Sequence, residues 1–149
     1  ETFEADMHIN FISMVKVIQT ILPNLSASNQ ASIVLFSSVA ASMGMPFHTS
    51  VAAAKGAIEG FAKALAAEYT PKIRVNVIAP SLTDTPLADK FLNNDVKREK
   101  SAERHPLKRF GTAVDLAQMA TFLLSDKSSW ISGQIFHVDG GMSTLLVNG

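Results

Sequence analysis

The chain has 149 residues, 47% of them hydrophobic and 17% charged, enough to build one compact domain with a real core. Its 13 Lys and Arg balance its 13 Asp and Glu, so no net field draws it toward nucleic acid or a membrane surface. It has no cysteine, which excludes disulfides and thiolate zinc sites within these residues and fits a cytoplasmic protein.

The chain opens Glu1-Thr2-Phe3-Glu4, without a methionine. Thr2 followed by acidic residues marks a helix start, and apolar residues at helical spacing extend it from Phe3 to about Leu25, with Pro23 at its end. Ala31 to Phe36, and above all Ile33-Val34-Leu35-Phe36, is a short continuous apolar run. That pattern belongs to a strand of a parallel sheet covered on both faces. Ser37-Ser38 close it, and Gly44 and Pro46 lie in a loop. Thr49 to Tyr69 is alanine-rich and predicts a second long helix. Ile73 to Ile78 is a second strand, with four apolar and two polar positions.

Thr83 to Arg109 is the most charged stretch. Thr85-Pro86 can start a helix there, and His105-Pro106 ends or kinks it. Its alternating charges predict a solvated, salt-bridged face. Thr112 with Asp115 three residues on reads as a capping box, with Leu116, Met119, Ala120 and Leu123 as an apolar stripe behind it. Gln134 to Val138 is a third strand, stopped by Asp139-Gly140-Gly141. Helices alternating with strands predict an α/β fold with parallel strands and right-handed crossovers. Three strands make a thin sheet, and the first of them is a bare edge.

Ser37-Ser38 at the first strand end, Lys55 in Val51-Ala52-Ala53-Ala54-Lys55, and Pro80-Ser81-Leu82-Thr83-Asp84-Thr85 after the second strand stand in a telling order. This order resembles the catalytic half of the short-chain dehydrogenase/reductases. The family carries a serine, then Tyr-x-x-x-Lys, then a Pro-Gly turn leading to a threonine. The resemblance covers nearly the whole chain. It implies the C-terminal part of a doubly wound, Rossmann-type sheet, three strands with flanking helices, and an N-terminal half that lies elsewhere.

The resemblance also assigns roles. Ser38 corresponds to the serine that holds the carbonyl oxygen. Lys55 corresponds to the lysine that binds the nicotinamide ribose and tunes the acid, and Asn10 to a helix asparagine ordering a relay water. Pro80, Ser81, Thr83 and Thr85 fall where the family's turn meets the cofactor's carboxamide and phosphate. Thr83 and Thr85 can also cap the helix that follows. Serine at 81, where the family has glycine, narrows the backbone's approach. Residues 87–109 correspond to the mobile substrate lid.

The tyrosine position is Val51, which has no proton to give. Tyr69, the single tyrosine, lies fourteen residues beyond Lys55. At ~1.5 Å per helical residue that is roughly 21 Å away, so it cannot substitute. His48, three residues before Val51, shares its helix face if the helix starts early, and imidazole suits proton transfer near neutrality.

The implied function is NAD(P)-dependent oxidoreduction of a small-molecule carbonyl or secondary alcohol, with NAD or NADP bound by the intact protein. The alternative is a family member that has lost the chemistry and senses cofactor or forms oligomers. In either case the chain alone lacks half of the dinucleotide site. No glycine-rich phosphate turn follows a strand, and no histidine or carboxylate cluster has metal-ligand spacing. The two long helices are expected to pair with copies of themselves in a homodimer or homotetramer, with Gly56 and Gly60 allowing close packing.

Overall fold

The computed structural model describes residues 2–147. Thr2 caps the first helix, its hydroxyl accepting from the Ala5 N–H at 3.2 Å. Helix α1 (Phe3–Met7) runs through a π-helical turn (His8–Ile12) into α2 (Ser13–Ala27). Pro23 does not end it. Proline removes one backbone donor, but Phe11, Met14, Ile18, Leu22 and Leu25 pack on the core and carry the helix past it to Ala27.

Strand β1 (Ala31–Phe36) follows, and α3 (Thr49–Tyr69) leads into β2 (Ile73–Pro80). β1 and β2 are parallel, in register from Ala31↔Ile73 to Phe36↔Ile78. β5 (Ile135–Val138) pairs with the far side of β2, from Val77↔Ile135 to Pro80↔Val138, giving the order β1-β2-β5. Among the described residues, β1 is therefore an open edge, as its sequence position implies.

One face of the sheet is apolar. Ile33, Leu35, Ile73, Val75 and Val77 meet Ile58, Ala62, Leu65 and Ala66 of α3, with Ile18 of α2 beside them. The other face carries the polar residues of the strands. It packs on α6 (Ala113–Leu124), whose Leu123 is fully buried. Arg74 reaches the end of α6, donating to the carbonyls of Leu123 (3.0 Å) and Ser125 (3.1 Å) and to the Ser128 hydroxyl (2.9 Å). These are carbonyls that a helix end leaves without a partner. Asn76, fully buried, donates to Ile131 O and accepts from the Gln134 N–H, which ties β2 to the approach of β5.

The charged stretch is not one helix. Thr83–Asp84 form a short strand, β3, paired in parallel with β4 (Gly111–Thr112). Between them lie a 3-10 turn (Pro86–Ala88), α4 (Asp89–Leu92) and α5 (Asp95–Glu103). Gly111 permits the pairing: a Cβ there would stand 3.2 Å from the Thr83 hydroxyl. The capping box forms as the sequence predicts, between Thr112 and Asp115. No helix among the described residues is long and apolar enough to cross a membrane.

Candidate functional site

Parallel strands leave their crevice beyond their carboxyl ends, and three of the residues singled out by sequence, Ser38, His48 and Ser81, gather there. A cavity of about 550 Å³ opens past β1 and β2, with Ser38, His48 and Ser81 in its lining. Its floor is apolar, with Val39, Ala40, Met45, Leu82, Phe91 and Met142.

Ser38 leaves β1 in extended conformation and caps the 3-10 turn Val39–Ala41, its hydroxyl oxygen accepting from the Ala40 N–H at 3.1 Å. That bond uses a lone pair and leaves the hydroxyl proton available to a ligand oxygen. Its neighbour Ser37 is buried and donates to Glu59 Oε1 at 2.7 Å, fastening β1 to α3. His48 sits just before α3, its Nδ1 2.7 Å from the Pro46 carbonyl. A carbonyl only accepts, so Nδ1 carries the hydrogen and Nε2 is the bare nitrogen. The preceding Phe47 is fully exposed with φ of 62°, a strained conformation for a large side chain.

Lys55 does not line the cavity. It is half-buried on α3, with Nζ donating to the Phe36 carbonyl at 3.2 Å at the end of β1. Burial lowers its pKa, because the cation loses water there. Asn10 lies in the π turn and donates to Asp6 O at 3.0 Å. Asp6 also accepts from the Ser50 hydroxyl, so the turn is tied to the start of α3. Pro80 ends β2. The Thr83 hydroxyl donates to Ser81 O (3.1 Å) and the Thr85 hydroxyl to Thr83 O (3.4 Å). Thr85 precedes the 3-10 turn but makes no capping bond with its side chain. Ser38, His48 and Ser81 thus meet in one cavity, while Lys55, Asn10, Pro80, Thr83 and Thr85 lie outside its lining.

Two features of the cavity escape the sequence. One is His105, only 2% exposed, with Nδ1 2.7 Å from Ser101 O and Nε2 2.9 Å from Ser81 Oγ. Sequence marks it only as a helix stop, since nothing in a separation of 24 residues announces its meeting with Ser81. The other is charge sorting. Lys90, Lys97, Lys100 and Arg104 line the cavity and no carboxylate does. The two ion pairs among the described residues, Arg98–Asp84 and Arg109–Asp115, leave those four cations out. The segment is therefore not laced with salt bridges as its alternating charges suggest.

Comparison with known proteins places this geometry. The family model described as enoyl-(acyl carrier protein) reductase matches residues 1–143. A 3-oxoacyl-[acyl-carrier-protein] reductase of Thermotoga maritima is 36% identical over 143 residues, which are 95% of this chain and 57% of that protein. A gluconate 5-dehydrogenase from Burkholderia cenocepacia, solved with NADP and tartrate, superposes with a TM-score of 0.89. It is 27% identical, over 97% of this chain and 57% of its own. A 3-oxoacyl-[acyl-carrier protein] reductase from Brucella melitensis with bound NAD gives 0.83 at 32% identity, covering 96% of this chain and 52% of that one. The chain thus spans little more than half the length of the relatives it matches. By family match, sequence likeness and fold together, it belongs to the short-chain dehydrogenase/reductases.

Proposed function

We propose that the protein is an NAD(P)-dependent oxidoreductase that interconverts a small carbonyl compound and its secondary alcohol, this chain carrying the substrate cleft and the catalytic side of the cofactor site. The observation that carries this reading is the convergence of Ser38, His48 and Ser81 on one cavity at the carboxyl ends of parallel strands, with Lys55 half-buried at the end of β1. The donor set fits a nicotinamide dinucleotide. Lys55 offers a cation to ribose hydroxyls, and Ser81, Thr83 and Thr85 offer hydroxyls and backbone along the turn after β2. The bound dinucleotide supplies or accepts the hydride.

Ser38 holds the substrate oxygen, Asn10 contributes through an ordered water, and His48 stands within the cavity with its bare Nε2 as a hydrogen-bond acceptor for the substrate. Residues 87–109 cover the substrate. Their cationic lining, with no carboxylate opposing it, favours a carbonyl compound bearing an anionic group.

Fluorescence titration of the full-length protein with NADH and NADPH tests the reading. One of them is expected to bind, and Lys55→Ala to weaken it about tenfold, roughly 1.4 kcal/mol. Absence of binding by both sinks it. Val51 supports a second reading, a family member that binds cofactor without turning over substrate. Binding without oxidation or reduction of any alcohol or carbonyl probe selects that alternative.

A further inference from the structure

His105 is a buried titratable group for which the proposed function has no use. Its ring joins three pieces of chain: α5 through Ser101, the turn after β2 through Ser81, and the turn after β5, where a Cβ at Gly140 would sit 3.6 Å from the ring. Both ring nitrogens are engaged, and their partners fix the tautomer. The Ser101 carbonyl only accepts, so Nδ1 bears the hydrogen. Nε2 of the neutral ring is then an acceptor, and the Ser81 hydroxyl, 2.9 Å from it and 3.4 Å from the Asp139 carbonyl, donates to the nearer of the two. With its proton committed inward, Ser81 Oγ turns its lone pairs to a hydroxyl bound in the cavity it lines.

We propose that Ser81 and His105 form a proton-transfer pair that takes the place of the side-chain acid missing at Val51. The proposal rests on the oxidoreductase reading above. In alcohol oxidation the substrate O–H proton passes to Ser81 Oγ while the Ser81 proton passes to His105 Nε2. The carbinol hydrogen leaves with its electron pair as hydride to the oxidised nicotinamide dinucleotide, and the C–O bond becomes C=O. His105 ends as an imidazolium that donates from Nε2 to Ser81 and from Nδ1 to Ser101 O. Reduction runs the same transfers backward. Ser81 touches the reacting oxygen and is the catalytic residue; His105 acts through it.

Several titratable or charged groups surround the ring. Lys97, Lys100 and Arg104 lie on or just past α5, Lys90 comes from α4, and His48 stands across the cavity. Asp139 lies beyond Ser81, its carboxylate held by Gly141 and Ser143. None of them hydrogen-bonds the ring in place of Ser81 and Ser101.

Two measurements on the full-length protein test this. The first is nitrogen-resolved NMR of the histidine rings, which needs no turnover. The neutral ring of His105 is expected as the Nδ1–H tautomer, with an Nε2 signal that moves in Ser81→Ala. An Nε2–H tautomer overturns the proposal whatever the activity.

The second is the pH profile of NAD(P)-linked oxidation of lactate and of its ethyl ester. Ser81→Ala and His105→Gln should each lower kcat by about 10²-fold or more, and in His105→Gln, which acts only through Ser81, KM and cofactor affinity should hold. The glutamine keeps a polar group near Nε2 but cannot titrate, so the limb of the profile belonging to the pair should vanish. Ser81→Thr, which keeps the hydroxyl, should recover part of the loss. If His105→Gln retains kcat and the limb, the pair is structural and the proposal fails with the oxidoreductase reading intact. If the unmodified protein binds cofactor but turns over no alcohol or carbonyl probe, the oxidoreductase reading fails and the proton-transfer role with it, while the ring tautomer still reports whether the Ser81–His105 pair is built as described.

Discussion

Asp139 ends β5 with three donors around its carboxylate: the Gly141 N–H (2.9 Å), the Ser143 N–H (2.9 Å) and the Ser143 hydroxyl (2.5 Å). Burial pushes its pKa up, but the bonds from Ser143 and Gly141 outweigh burial and hold it below the ordinary carboxylate range. The folded state therefore favours the ionised form. That stability is fully present above the unfolded value, about 3.9, and is lost as pH falls through the folded one. Urea unfolding across an acid pH series should show the parent protein losing stability in that window. Asp139→Asn should vary less there and be weaker near neutrality by about 1–3 kcal/mol. Parallel curves would show that the carboxylate does not hold the turn. The Asp-Gly-Gly stop was legible in sequence because Gly140 and Gly141 adopt φ of 63° and 85°. The Ser143 clasp was not, since nothing distinguishes that serine from its neighbours.

Strand β2 shows the same division at the scale of an element. Its six-residue core, with four apolar and two polar positions, declares a strand with unequal faces, and the structure assigns the polar pair to the α6 side. What Arg74 and Asn76 bond to depends on chain more than forty residues away, beyond the reach of any local pattern. Arg74→Leu would strip donors from two carbonyls at the end of α6. The expected loss is about 2–4 kcal/mol, with faster hydrogen exchange concentrated in the last turn of that helix. Arg74→Lys should recover only part of it, because an ammonium cannot reproduce the guanidinium fork. Equal stability of all three proteins would refute the cap. The π turn, the passage of α2 beyond Pro23 and the β3–β4 ladder also went unread, because tertiary packing rather than propensity or periodicity sets them.

At the scale of the molecule, the long N-terminal helix leaves Phe3, Ile9, Val17 and Ile21 exposed. Such a face fits the proposed pairing with a second copy. Val17→Glu combined with Ile21→Lys should lower the mass seen by sedimentation of the full-length protein to that of a single subunit, and an unchanged mass would place the contact elsewhere. The parallel sheet with its first strand at an edge and the α/β layering were readable from sequence, as was the approach of Ser38 to the turn after β2, while the central place of β2 was not. The meeting of Ser81 with His105 has a consequence for descent. If a glycine replaced Ser81, the imidazole would keep a buried nitrogen without its partner, at a cost of about 1–3 kcal/mol. If the histidine went first, the serine would lose the acceptor that orients it. Neither change is neutral while the other residue stands, so a lineage passes between this arrangement and the family's glycine by a paired substitution, and the two positions are expected to be inherited as a unit.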